Sequence, residues 1–347
     1  MASLTMNTNN SVSTSRYAAK MSSHIIQNLN KQDVALNGST DDFDYIIVSD
    51  GHGSGFRKHI LRDLFNSLDW STILQNENWY KNDITTEGKY LSPLFAILHG
   101  DTGAFSPHTT SFQGCTLSVV LIYPERFECF TIGDSTIKIW ERSEKNIWSS
   151  VFVSEDHDIN HDDMECLKRR KRGYAPFCRN HWQNQGVIMN NGIRTTGVRR
   201  LKALSSTKMA MEQSAYFYFD DGSVLNMTRS LGHYPTEVVV SDARKHAHVL
   251  SCTEYSLTKV IVERKVDINY AVIAATDGVW DVTAPDTDKK IMEWIVEKKT
   301  LAAEKVCLEI KELWCQYWDY WDEGVFQDKT RIPDNNHDDI ACSVAYC

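Results

Sequence analysis

Two stretches of this sequence end an apolar run on the same pair of residues. "YIIVSDG" sets Asp50 and Gly51 after one run, and "AVIAATDG" sets Asp277 and Gly278 after another. A third, "HDDIACSVAY", inverts the order and places Asp338 and Asp339 directly before an apolar run. One Asp-Gly pair marks a turn. Three acids at three strand ends imply more: if the strands lie antiparallel in one sheet, those ends share an edge and the carboxylates converge. Two charges ~4 Å apart repel by about 4 kcal/mol at an effective dielectric near 20, so convergence calls for a neutralising partner. Carboxylates, a peptide carbonyl and water make an all-oxygen set that suits Mg²⁺ or Mn²⁺ and not zinc. Gly51 and Gly278, without Cβ, let the backbone turn sharply and expose a carbonyl. His52, in "DGHGSG", stands beside that set, where an imidazole can deliver a proton.

The elements that must position these residues are mostly strands. Short β-like runs recur at "DYIIVS" (44–49), "TLSVVLIY" (116–123), "RFECFTI" (126–132), "TIKIWE" (136–141), "YAVIAAT" (270–276) and "IACSVAY" (340–346). The second pair flanks Gly133-Asp134-Ser135 and reads as a tight hairpin. Helical spacing appears at Phe56, Ile60, Leu64 and Leu68, and again at Val306, Ile310, Leu313, Trp314 and Tyr317. Strand runs with helices interposed predict an α/β (α+β) sandwich of largely antiparallel sheets. No fixed-period repeat or Pro/Gly-rich linker divides the chain, so one domain over 23–347 is expected, after a Ser/Thr/Asn-rich disordered tail at 1–22. The stretch 158–225 is polar, rich in Arg and Lys and without clear strand alternation, which reads as an insertion or flap.

Composition narrows the partners. The 347 residues are 42% apolar, enough for a sizeable core, and the formal charge of −9 is spread along the chain, against a nucleic-acid partner. No run reaches the ~18 apolar residues of a membrane span. Nine cysteines show no Cys-x-x-Cys pair and no zinc spacing, which predicts reduced, buried thiols and a cytoplasmic protein. "KRRKR" (168–172) is either a solvated helix face, a phosphopeptide contact or a nuclear address.

Seven short motifs together resemble the metal-dependent protein phosphatases, the type 2C class of serine/threonine phosphatases. They are "IIVSDGHGSG" (46–55), "GCTLSVVLI" (114–122), "FTIGDSTIKIW" (130–140), "VSEDHD" (153–158), "LNMTRSLGH" (225–233), "IAATDGVWDV" (273–282) and "DDIACSVAY" (338–346), in the family's order. The resemblance implies two antiparallel sheets packed as a sandwich with helices outside, and a centre of two Mn²⁺ or Mg²⁺ ions at one edge. It implies that Asp50 bridges the ions, that the Gly51 carbonyl binds one and that Asp277 with Asp338 bind the other. Asp134, Asp277 and Asp281 match a weaker third position, with Asp33 kept from the family's first acidic pair. A hydroxide bridging the metals would then attack phosphorus directly while His52 protonates the leaving serine or threonine oxygen, so the implied partners of a monomeric enzyme are phosphorylated proteins.

Two departures bear on that expectation. In "NLNKQDVAL" (28–36), Asn28 stands where the family has its phosphate-holding arginine and Gln32 where it has the first acid. His233 stands where relatives usually have Asp. Arg16, Arg57 or a basic residue of the flap could replace the arginine, and the sequence does not choose among them. A pseudophosphatase that binds partners through the same fold is the main alternative, and a metal-dependent hydrolase of a small phosphorylated molecule is another.

Overall fold

The central strands of this protein are buried on both faces, because each lies between two other layers. A computed structural model describes residues 18–28, 30–53, 59–99, 113–157, 187–190, 193–218, 224–225, 227, 229–232, 256–265, 267–322, 324–333 and 337–347. One five-stranded antiparallel sheet runs in the order β1 (Lys20–Ile26), β19 (Ile340–Tyr346), β16 (Tyr270–Ala275), β8 (Thr136–Arg142), β9 (Trp148–Val153). The other runs β15 (Thr258–Glu263), β7 (Arg126–Ile132), β6 (Leu117–Ile122), β3 (Asp44–Ser49), β2 (Val34–Ser39). Between them, alternate residues such as Ile46, Val48, Phe127, Ile137, Val272 and Ala341 form one buried cluster. The intervening residues face outward and are covered by helices. Ile47, Val119 and Phe130 pack with α1 (Ile60–Ser67), α2 (Trp70–Leu74) and α3 (Pro93–His99). Ala271, Ile273 and Val344 pack with α4 (Asp277–Trp280), α5 (Pro285–Lys298) and α6 (Ala302–Cys315). The layers are therefore α-β-β-α, as expected.

Four expectations change. The strands around Gly133-Asp134-Ser135 do not form a hairpin: β7 pairs with β6 and β15, while β8 pairs with β16 and β9 in the opposite sheet. Gly133, at φ +96°, carries the chain from one sheet to the other, and a Cβ there would lie 2.5 Å from Thr116 Cγ2. Phe127 and Ile137 consequently meet across the sandwich and not across a ladder. Nor do the three acid-bearing strands share one sheet. β3 belongs to one, and β16 and β19 pair in the other. The ordered fold also starts before residue 23, since Lys20, Met21 and Ser22 pair with Tyr346, Ala345 and Val344 of β19.

The fourth change concerns the insertion. Within 158–225 the described part is strand, with β10 (Val187–Asn190), β11 (Ile193–Ala203), β12 (Lys208–Tyr218) and β13 (Val224–Leu225). β12 is joined in parallel by β17 (Tyr317–Asp322), which pairs with β18 (Val325–Arg331), so two segments distant in sequence share one sheet. Tyr317, expected to end the last helix, begins β17 because Gln316 turns the chain to an extended conformation at ψ 171°. "KRRKR" lies outside the described residues. Among the cysteines, Cys115, Cys129, Cys307 and Cys342 are free and buried, and Cys315 and Cys347 are half-buried.

Candidate metal centre

Asp50 leaves β3 under the control of a buried hydroxyl chain. Its backbone N donates to Thr116 Oγ1 at 2.9 Å, and Thr116 N donates back to the Asp50 carbonyl at 2.9 Å. Thr116 Oγ1 in turn meets Ser135 Oγ at 2.5 Å, while Ser118 Oγ donates to the Ser135 carbonyl at 2.6 Å. Thr116 and Ser135 thus tie the Asp50 strand end to the turn that carries Asp134. Beyond Asp50, β4 (Gly51–Gly53) pairs with β5 (Gln113–Cys115), and β5 pairs with β14 (Leu231–Gly232). This small sheet presents His52, whose Nε2 lies 3.5 Å from Asp50 Oδ2, with 27% of its side chain exposed.

Asp277 opens α4 directly after β16. Thr276, before it, is stitched to β19: Thr276 N donates to the Ala341 carbonyl at 3.1 Å and Ala341 N donates to Thr276 Oγ1 at 3.2 Å. The start of the helix is pinned from outside by Trp314 of α6, whose Nε1 donates to the Gly278 carbonyl at 2.7 Å. The two glycines serve close approach. Neither takes a positive φ, but a Cβ on Gly278 would sit 1.9 Å from the Asp339 carbonyl oxygen, and one on Gly51 would sit 2.6 Å from that of Gln32. The need for glycine after each acid is therefore steric crowding and not the sharp turn the sequence suggests.

The neighbouring acids Asp338 and Asp339 have different employment. Asp339 is 3% exposed and turned inward, where Oδ1 accepts from Asn28 N at 2.6 Å and Oδ2 from Gln32 N at 2.9 Å. Asn28 Nδ2 also donates to the His337 carbonyl. Asp339 thereby fixes the loop between β1 and β2 that delivers Asp33. Sequence reasoning did not separate the pair; the signal was there in the polar backbone of 28–32, whose N–H groups need acceptors.

Asp33, Asp50, Asp277 and Asp338 come together. Burial first, then the charges of Asp33, Asp277, Asp338 and Asp134, push the Asp50 carboxyl well above the usual carboxylate range. Asp33 is raised likewise by burial and by Asp339, Asp338 and Asp277, with a Thr276 hydrogen bond pulling the other way. The strongest charges acting on each are all negative, and Asp33 Oδ2 is buried with no hydrogen-bond partner among the described residues. That is the signature of a site fitted to a cation, and an all-oxygen set of this kind suits Mg²⁺ or Mn²⁺. Among the described residues no three His, Cys, Asp or Glu side chains are close enough to form a finished cage, so the fit rests on converging charge.

Asp134 belongs to this group by its effect on Asp50, whereas the charges pressing hardest on Asp50 and Asp33 do not include Asp281. Asp281 sits one turn beyond Asp277, and its carbonyl accepts from Ala203 N at 3.0 Å. His157, within "VSEDHD", is a residue whose role the sequence did not reveal. It is 7% exposed, its Nδ1 accepts from Gly133 N at 3.1 Å, its own N donates to the Gly133 carbonyl at 2.9 Å, and Nε2 meets Thr258 Oγ1 at 3.0 Å. It clamps the turn that carries Asp134. Arg16, Arg57 and His233 lie outside the described residues. Arg62 of α1 donates to the Lys31 carbonyl at 2.7 Å and to Asp63, so it braces the same loop as Asp339.

Comparisons with known proteins bear on the fold and the family. Among solved structures, a sex-determining protein of C. elegans superimposes with a TM-score of 0.51 at 14% identity, over 94% of this chain and 64% of that one. The chain thus spans less than two thirds of that protein. A serine-threonine phosphatase 2C of Toxoplasma gondii superimposes with a TM-score of 0.50 at 13% identity, over 96% of each chain. The catalytic domain of a serine/threonine protein phosphatase in complex with two manganese ions reaches 0.45 at 13% identity, over 94% of this chain and 97% of that one. At such identities the likeness concerns the fold. No curated protein matches the sequence. The sequence model described as Protein phosphatase 2C matches residues 9–317, a span that takes in Asp50, Asp134 and Asp277 and stops before Asp338. Since that match covers most of the chain, this protein belongs to the protein phosphatase 2C family.

Proposed function

We propose that this chain is a metal-dependent protein serine/threonine phosphatase, acting on phosphorylated proteins with Mn²⁺ or Mg²⁺. The observation that carries the reading is the meeting of Asp33, Asp50, Asp277 and Asp338 at the ends of both sheets, with the strongest charges on Asp50 and Asp33 all of one sign. Asp50, the Gly51 carbonyl, Asp277 and Asp338 would hold the ions, with Asp134 contributing to a weaker third. Bound there, two divalent ions lower the pKa of water and offset charge on a phosphoryl group. The remaining work falls to the chain itself. Thr116 and Ser135 hold Asp50 and the Asp134 turn in fixed relation, so the carboxylates need little rearrangement. His52 is the residue placed to move a proton: Nε2 is held 3.5 Å from Asp50 Oδ2 while part of the ring faces solvent, where a leaving serine or threonine oxygen can reach it.

One observation favours a pseudophosphatase. Asn28, at the position of the family's arginine, is committed to the His337 carbonyl and to Asp339, and so is built into the scaffold. Phosphate release from a phosphothreonine peptide, measured with Mn²⁺ and after EDTA, separates the two readings. Metal-dependent release that Asp277→Asn lacks supports the enzyme; a chain that binds metal and peptide without any release is the pseudophosphatase.

A further inference from the structure

The two main sheets end in β1, β9, β15 and β2, and three of these strands are guarded. β1 and β2 close on each other, with Ser23 Oγ donating to Asn37 Oδ1 at 2.7 Å. β9 is bulged where its register shifts against Ile139 and Trp140, an ordinary defence of a sheet edge. β15 has neither guard. Its six residues, Thr258 to Glu263, pair with β7 in unbroken register, and Val260 and Ile261 are 38% and 50% exposed. On this side the sandwich also stays open, since a cavity of about 430 Å³ lies between β9 and β15, lined by Phe152, Val153, Cys129 and Val260 among others.

Backbone bonds at the two ends of β15 fix which residues look outward. Arg264 N donates inward to the Glu125 carbonyl at 2.8 Å, and Leu257 N donates outward to the Tyr80 carbonyl at 3.0 Å. Alternation along an antiparallel strand then turns the N–H and C=O groups of Lys259, Ile261 and Glu263 away from β7. An added antiparallel strand must meet those groups with outward-facing residues of its own. For a second copy of β15 about a two-fold axis, the choices are few. Centred on Lys259 or on Glu263, the pairing sets that residue against its own charge; centred on Val262, it faces Lys259 with Lys265. Centred on Val260, it faces Glu263 with Leu257, whose N–H Tyr80 already takes. Centred on Ile261, it faces Lys259 with Glu263 of the other copy twice, with Ile261 against itself between them and Val260 beside Val262 on the reverse side. Among these registers, that one alone matches each charge with its opposite.

A surplus of charge plays no part in this choice. The face that Lys259 shares with β7 carries both signs, with Lys259 and Arg126 beside Glu125, Glu128 and Glu263. Lys259 Nζ is engaged with Glu128 at 2.8 Å, and an ammonium has further donors with which a second carboxylate can share it. Arg126, opposite Glu263 in the ladder, turns its guanidinium to Glu125 and Glu128. We infer that β15 pairs antiparallel with β15 of a second copy of this chain, about a two-fold axis at Ile261, so that two sandwiches share one continuous sheet. The resemblance in sequence implies a monomer instead. An interface of this length stands at the small end of specific contacts, so the dimer should exchange with monomer at micromolar concentrations. The inference is independent of the phosphatase reading, because it uses no residue of the metal centre.

Sedimentation velocity of the full chain across the micromolar range tests it. The wild type should pass from monomer to dimer as concentration rises. Glu263→Lys and Lys259→Glu should each weaken association at least tenfold, because like charges then face each other twice. An equal mixture of the two variants should restore a dimer containing one copy of each. Ile261→Pro removes an N–H that the β7 ladder does not use, so it should abolish association while circular dichroism shows a folded monomer. Should Lys259→Glu fail to fold without its bond to Glu128, Glu263→Lys and Ile261→Pro decide the matter alone. A wild-type chain that stays monomeric throughout overturns the inference, whether or not an unrelated Val/Thr strand peptide binds it. So does a dimer indifferent to Glu263→Lys and Ile261→Pro, or a mixture of folded Glu263→Lys and Lys259→Glu chains that remains monomeric.

Discussion

Replacing Asp339 by Ala takes away both acceptors that hold the loop from Asn28 to Gln32. Each orphaned backbone N–H costs about 1–3 kcal/mol if it stays buried, so the pair costs about 2–6 kcal/mol. Relief of repulsion acts in the other direction, because Asp339 is the neighbouring charge that presses most on Asp33. That relief is the smaller effect, since without a cation Asp33 can discharge the repulsion by holding a proton, which its raised pKa already favours. Asp338→Asn is the informative counterpart. The bond that Asp338 Oδ1 accepts from Asp339 N survives in the amide, while one charge leaves the cluster. In urea unfolding with EDTA present, Asp339→Ala should fall by about 2–4 kcal/mol net and Asp338→Asn should hold or rise. Both should bind Mn²⁺ more weakly, the first through the displaced loop and the second through loss of a carboxylate proposed to hold an ion. Equal stability of Asp339→Ala and the wild type, or an equal loss in both variants, would refute the division of labour between the two acids.

Three further outcomes follow from the same geometry. The folded-state pKa values of Asp33 and Asp50 are raised, so the metal-free protein loses stability as pH climbs from the ordinary carboxylate range toward those raised values, at up to ~1.4 kcal/mol per unit and group. Thermal unfolding in EDTA should therefore show a higher midpoint near pH ~5 than near ~7.5, with a shallower slope in Asp50→Asn and reversal in saturating Mn²⁺; an identical slope in wild type and variant would contradict the sign. Gly278→Ala forces a methyl to within 1.9 Å of the Asp339 carbonyl, so a loss of about 1–3 kcal/mol or more and weakened Mn²⁺ binding are expected in calorimetry. His157→Ala should loosen the Asp134 turn and lower affinity for the weakest ion, whereas His157→Asn, which keeps an acceptor near Gly133 N, should recover part of it.

Some of this was readable from residue order alone. "DYIIVS" and "IACSVAY" match Asp44–Ser49 and Ile340–Tyr346 because short apolar runs bounded by acids are a local signal. The meeting of Asp50, Asp277 and Asp338 was also legible, although for an incomplete reason: they come from two sheets, and which strands pair is fixed by long-range register that no local run reveals. The crossing at Gly133 was missed since a three-residue turn looks alike whether the strands return or change sheets. The hydroxyl chain of Thr116 and Ser135 and the clamp at His157 join residues 19 and 24 positions apart, through contacts that carry no sequence period. The β17–β18 hairpin escaped notice because its aromatic residues continue the apolar stripe of the preceding helix.

Everything proposed for this site requires that these carboxylates bind divalent ions. Isothermal titration of the metal-free protein with Mn²⁺ at neutral pH, beside Asp50→Asn and Asp277→Asn, tests it without reference to any substrate. About two ions per chain are expected for the wild type, with loss of the tighter site in each variant, because each substitution removes a carboxylate proposed to hold the ions. A wild-type chain that takes up no Mn²⁺ or Mg²⁺ at millimolar concentration, or variants that bind as the wild type does, would contradict it.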